Sequence, residues 1–124
     1  MSALQAALMA ALEAVPARVF DAPPVRGAVP YIVVEEPVLA RWGGAGIDGR
    51  EGRVVVSLHD AGERPVRLRA LVAAVEAESA VLSGDIGEGW RVVALRLVRS
   101  RIVRSGGERW TGHVEFSVKL YREG

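Results

Sequence analysis

The stretch from Trp90 to Tyr121 constrains the chain most, because it reads as one long β-hairpin around Ser105-Gly106-Gly107-Glu108. Two central glycines supply the positive φ angles that a two-residue type I′ or II′ turn needs. With Gly106-Gly107 as the turn, Arg104 faces Arg109, Val103 faces Trp110, Leu97 faces Phe116 and Val93 faces Leu120. The returning strand then puts Trp110, Gly112, Val114, Phe116, Val118 and Leu120 on one face, and Thr111, His113, Glu115, Ser117 and Lys119 on the other. Near the base the partners on the first face are apolar, as core-facing strands require. Beyond Leu97 they become Arg99 and Arg101, which a core does not hold unpaired. The pattern therefore predicts an arm that leaves its domain near Leu97 and Phe116 and reaches about 20 Å further. Its tip would carry arginines and a Val103/Trp110 pair with nothing local to bury against. The plainer alternative is a twisted hairpin lying flat on the domain with solvated arginines.

The rest of the chain supplies the layers for this hairpin. Residues 2–15 form an amphipathic helix, with Ser2 and Gln5 at capping-box spacing and Leu4, Leu8 and Leu12 on one stripe, ended by Pro16. Short strands follow near 17–20 and over 31–36, joined by a proline-rich connection. Residues 38–52 are glycine-rich with no clear period and read as a long loop containing Arg41, Trp42 and Arg50. Trp42 either tucks onto the domain or waits for a partner. A third strand covers 53–59. A second helix covers 65–82, with Leu68, Leu71, Val72, Val75, Ser79 and Leu82 as its buried stripe, and 84–89 is a connecting loop. Strands with two segregated helices imply an α+β, two-layer domain over 1–124. Its sheet is mostly antiparallel, with both helices on one face and a long projecting C-terminal β-hairpin.

A length of 124 residues suits one domain, half the residues are apolar, and the formal net charge is +1, all of which fit a globular fold. No apolar run approaches the ~20 residues needed to span a bilayer, so no membrane association is expected, and the start lacks the positive region of a signal peptide. Cysteine is absent, which excludes disulfides and thiolate metal sites. Balanced charge argues against a dedicated nucleic-acid binder, although 91–109 is locally basic with Glu108 its only acid.

Catalytic groups are few. His59 and His113 are the only histidines, each on the polar side of its strand and without metal-ligand spacing. Gly43-Gly44-Ala45-Gly46 lacks the lysine and hydroxyl of a P-loop, and no serine stands in a nucleophile elbow. No cofactor or metal is expected, and the protein reads as a non-enzyme.

The order of motifs resembles a known family. An N-terminal alanine/leucine helix precedes Ala17-Arg18-Val19-Phe20-Asp21 and Pro30-Tyr31-Ile32-Val33-Val34. The Trp42 segment, Gly49-Arg50-Glu51, Val54-Val55-Val56-Ser57-Leu58, Arg91-Val92-Val93-Ala94-Leu95-Arg96 and a glycine-containing hairpin follow. The whole chain is similar to the tail-completion (tail terminator) proteins of long-tailed bacteriophages and gene transfer agents. That resemblance implies a structural virion protein, assembled in the bacterial cytoplasm, whose hexameric ring caps the head-proximal end of the tail tube. The implied partners are further copies of the chain, the tail tube protein and the head-tail connector. DNA passing through the lumen would be touched only non-specifically. Arg41, Trp42, Arg50, Val103 and Trp110 are then the candidate subunit or tube interface, and Arg99, Arg101, Arg104 and Arg109 candidate contacts to DNA phosphate or a partner. The alternative is a nucleic-acid-binding module using the arginine hairpin.

Overall fold

The computed structural model describes residues 1–123; Gly124, the end of the expected 1–124 unit, lies outside them. In order, the elements are α1 (Ser2–Ala11) with a 3-10 turn over Leu12–Ala14, β1 (Arg18–Phe20), β2 (Tyr31–Val34), β3 (Val38–Trp42) and β4 (Ile47–Ala61). Then come α2 (Val66–Ser79), β5 (Gly84–Gly87), β6 (Trp90–Gly106) and β7 (Arg109–Glu123). The strands form one seven-stranded sheet in the order β1-β2-β4-β7-β6-β5, with β3 pairing β4 alongside β2. Among the described residues only β1 and β2 run parallel, and every other pair is antiparallel.

Alternation along β7 decides which face is buried. Gly112, Val114, Phe116, Val118 and Leu120 are buried and their neighbours are not, as period two requires. They meet Val54, Val56 and Leu58 of β4 and Ile32 and Val34 of β2 in one core with Leu4, Leu8, Leu12, Leu68, Leu71 and Val75 of the helices. The fold is therefore α+β, with helices on one face of a mostly antiparallel sheet. Helix α2 lies over β4, β7 and β6, while α1 spans from β2 to β5. Gly112 lets α2 sit close: a Cβ there would stand 3.0 Å from Val72 Cγ2 and 3.6 Å from Leu68 Cδ1. Gln5 does not cap α1. It is buried, and its Nε2 donates to the carbonyl of Val34 at 3.0 Å, tying the helix to the end of β2.

Three expectations need correction. Residues 38–52 are not a loop: β3 and the start of β4 make a hairpin, paired from Val38–Arg53 to Trp42–Gly49. Its glycines hid the alternation, and the geometry shows why glycine stands there. A Cβ at Gly52 would come within 1.9 Å of the Val38 carbonyl, and one at Gly49 within 2.5 Å of the Trp42 ring. Residues 84–87, expected to connect, form the short strand β5 against Val92–Trp90.

The third correction concerns the hairpin itself, which is present and long. Its returning strand is not free of the sheet, because β4 accompanies β7 from Ile47–Glu123 to Ala61–Arg109. Gly106 pairs with Arg109, so the turn is Gly107-Glu108, with Gly107 at φ 54° in the first central position that a II′ turn reserves for glycine. Register shifts at Val93, Val98 and Ser105 each insert one residue into β6. Leu97 still faces Phe116, but Arg104 rather than Val103 faces Trp110, and Val92 rather than Val93 faces Leu120. A single inserted residue turns every later side chain to the other face. Arg99 and Arg101 consequently lie with Glu115 and His113 on the face away from the helices, and no arginine is forced into the core.

Candidate functional site

The two faces of the sheet differ in cover. Helices close one, while the other carries the polar side of β4 and β7 and the arginines that the bulges in β6 redirect. On β6 these are Arg91, Arg96, Arg99 and Arg101, opposite Tyr121, Ser117, Glu115 and His113. Arg99 Nε donates to Glu115 Oε1 at 2.7 Å, and Arg53 of β4 stands 3.7 Å from Glu115 Oε2. The hydrogen bond from Arg99 comes first among the causes holding the Glu115 carboxyl below its usual range. Val55, Arg99, Arg101, His113 and Glu115 line a recess at the centre of this face. Two guanidinium groups and an imidazole thus share the recess with one carboxylate, which gives it an excess of cationic side chains.

The histidines lie beside it. His59 stacks on Tyr31, with ring centroids 4.6 Å apart, and its Nε2 sits 3.2 Å from Ser57 Oγ. Burial, and then the neighbouring His113, push its pKa below the usual imidazole value. His113 Nδ1 is buried without a hydrogen-bond partner among the described residues. Among the described residues no group of three or more His, Cys, Asp and Glu is placed to hold a metal ion.

The tryptophans expected at an interface are held by their own chain. Trp42 lies over Gly49, its Nε1 donating to the carbonyls of Arg50 at 2.9 Å and Leu120 at 3.1 Å. The Lys119 ammonium stands 4.3 Å from the centre of its ring. Trp110 Nε1 donates to the Gly62 carbonyl at 3.0 Å, and the Arg104 guanidinium covers its ring at 4.8 Å. Gly62 in turn donates to the Glu108 carbonyl at 2.7 Å, so the loop after β4 clasps the hairpin tip. A free Val103/Trp110 pair is thus corrected: Val103 faces Thr111 on the open side of the sheet. Arg50 bonds Asp48 and the Gly49 carbonyl and, with Arg122, packs on Trp90. Arg41, Val103 and Arg109 remain exposed at the surface.

Sequence reasoning missed the outer edge of β6. Beyond Val92, β5 has ended, and among the described residues no strand pairs β6 on that side. Val93, Leu97, Val98 and Val103 are 54%, 46%, 41% and 36% exposed along it. The signal was available in the two arginines on a nominally apolar face, which a bulge explains as well as a departing arm does.

Comparison with known proteins follows the whole fold rather than any one site. No curated protein sequence matches the chain. A solved chain from the virion of a native gene transfer agent particle is similar in structure. Its TM-score is 0.75 and its identity 24%, over 97% of this chain and 96% of that one, a likeness of fold. The family described as tail completion protein gp17 matches residues 2–121, nearly the whole sequence. The chain belongs to the tail completion protein gp17 family.

Proposed function

We propose that the protein is a tail terminator: a hexameric ring that caps the head-proximal end of a phage or gene transfer agent tail tube and joins it to the head connector. The family match over residues 2–121 carries this reading. The shape of the molecule supports it. A small domain with one closed face, one open charged face and two unpaired sheet edges is suited to a repeating assembly. Head-to-tail contacts close into a ring when the rotation between copies closes.

Within the ring, exposed Arg41 and Val103 are the contacts proposed toward a neighbour or the tube. Arg99, Arg101, Arg104 and Arg109 face a partner or DNA phosphate, without reading base sequence. Trp42, Arg50 and Trp110 support those surfaces from within the chain. The basic face also favours a second reading, a nucleic-acid-binding module, which predicts tight, strongly salt-dependent duplex binding by the monomer.

The test is electron microscopy of particles made without this protein. Overlong tubes that fail to join heads are expected, with wild-type length restored by complementation. Tubes of normal length joined to heads would overturn the reading.

A further inference from the structure

We propose that the outer edge of β6 is a docking strand for a second copy of this chain, whose β3 adds antiparallel to it so that successive sheets run on from one subunit to the next. The inference rests on the ring reading and names the surfaces that would close the ring.

A backbone edge of this length needs an explanation. From Val93 to Ser105 the outward N–H and C=O groups have no strand partner among the described residues, and four apolar side chains stand exposed along the same stretch. Natural sheets blunt such edges, because an unpaired strand is a template for another strand. Here the blunting is selective. Bulges at Val93 and Val98 interrupt the edge, and Arg96, Arg99, Arg101 and Arg104 line it. Two β6 strands meeting across a two-fold axis would set these arginines against their own copies, and like charges directly opposite are destabilising. The edge therefore rejects its own copy and admits a less basic strand.

The chain carries such a strand at the opposite side of its sheet. β3 pairs β4 on one side only, and Val38 at its start is 78% exposed. Glu35 and Glu36 lie just before it across Pro37, and Glu51 stands beside Ala40 in register, against exposed Arg41 and Arg53, so that edge carries both signs of charge where the β6 edge carries arginines. Direction agrees as well. β7 is antiparallel to both β4 and β6, so β6 runs with β4, while β3 runs against β4. Rotating a copy about an axis along the strands preserves these directions. β6 of one subunit then meets β3 of the next antiparallel, with all helices on one side and all open faces on the other.

The chain has no cysteine, so introduced pairs report cleanly. A Val38→Cys substitution is combined in turn with Val93→Cys, Leu97→Cys, Val98→Cys or Val103→Cys. Each full-length protein is concentrated, oxidised and sized, alongside native mass measurements and the single-cysteine controls. The expected result is a ladder of covalent multimers from at least one pair, with every single variant silent. Oligomers of native mass without any cross-linked pair would overturn the edge pairing and leave the ring reading standing. Dimers from a single β6 cysteine would show self-pairing instead. Cross-linking of a β6 cysteine in assembled particles only to a chain of different mass would make another protein the occupant. A protein that stays monomeric at every concentration and never cross-links would overturn the ring and the edge together.

Discussion

Asp60 shows how much one buried side chain organises in this protein. Its side chain is 5% exposed on the helix-covered face, where Arg67 Nε donates to Oδ2 at 2.9 Å and the Ala61 N–H donates to Oδ1 at 2.8 Å. The hydrogen bond from Arg67 comes first among the causes lowering its pKa from the ordinary 3.8. A carboxylate lowered on folding contributes stability that is complete above its unfolded value and is lost as pH falls through the folded one. His59 acts in a higher window. Burial, and then His113, lower its pKa from 6.5 against the opposing charge of Glu35, so below that pH the unfolded chain takes up a proton that the folded chain resists. Denaturation midpoints followed against pH should therefore fall in two steps, one starting near 6.5 and one below 3.8. His59→Gln should remove the upper step and Asp60→Asn should shrink the lower, to which Asp48 and Glu115 also contribute, the latter variant costing about 1–3 kcal/mol at neutral pH. Trp110 belongs at this scale too. Because its indole is half-buried and bonded to Gly62, Trp110→Ala should cost about 2 kcal/mol and lower Tm by several degrees. An unchanged Tm would restore the free indole that the hairpin pattern alone suggested.

Elements were legible where one face is buried along a whole strand or helix. The alternation of β7 and the stripe of α2 depend on contact with a continuous core, and both read correctly from the sequence. Leu71, 4% exposed on that stripe, should cost about 2–5 kcal/mol when changed to Ala, measured by denaturant unfolding. β6 was misread because a bulge leaves no mark on the partner strand. The residue inserted at Val98 moved Arg99, Arg101 and Val103 to the open face while Leu97 and Phe116 stayed opposite each other. The β3–β4 hairpin was missed because its glycines answer to neighbours remote from the local pattern: the Val38 carbonyl over Gly52 and the Trp42 ring over Gly49. Gly49→Ala should displace that ring and cost ~1 kcal/mol or more, read as loss of protection at the Trp42 indole N–H in hydrogen exchange. Unchanged protection would mean the strand pair shifts instead.

At the scale of the whole molecule, the sheet separates packing from surface charge. Stability comes from the helix-covered face, and the open face holds the charges that stability does not need. Arg96, Arg99 and Arg101 are exposed there, and among the described residues only Arg99 of the three is engaged, with Glu115, which Arg53 also approaches. Exposed substitutions usually stay within ~0.5 kcal/mol, and a solvent-exposed ion pair adds at most about 1 kcal/mol. Changing all three arginines to Ala should therefore leave Tm within a few degrees of wild type. In the proposed ring, assembly should respond differently, because each lost contact is repeated in every subunit and small per-site losses accumulate. Tails built with the triple variant should lose length control or fail to join heads, seen by electron microscopy beside thermal melts of the same protein. A variant that unfolds would mean that these side chains hold the fold, through contacts that their exposure does not suggest. A folded variant whose tails keep normal length and still join heads would remove the open face from the proposed assembly.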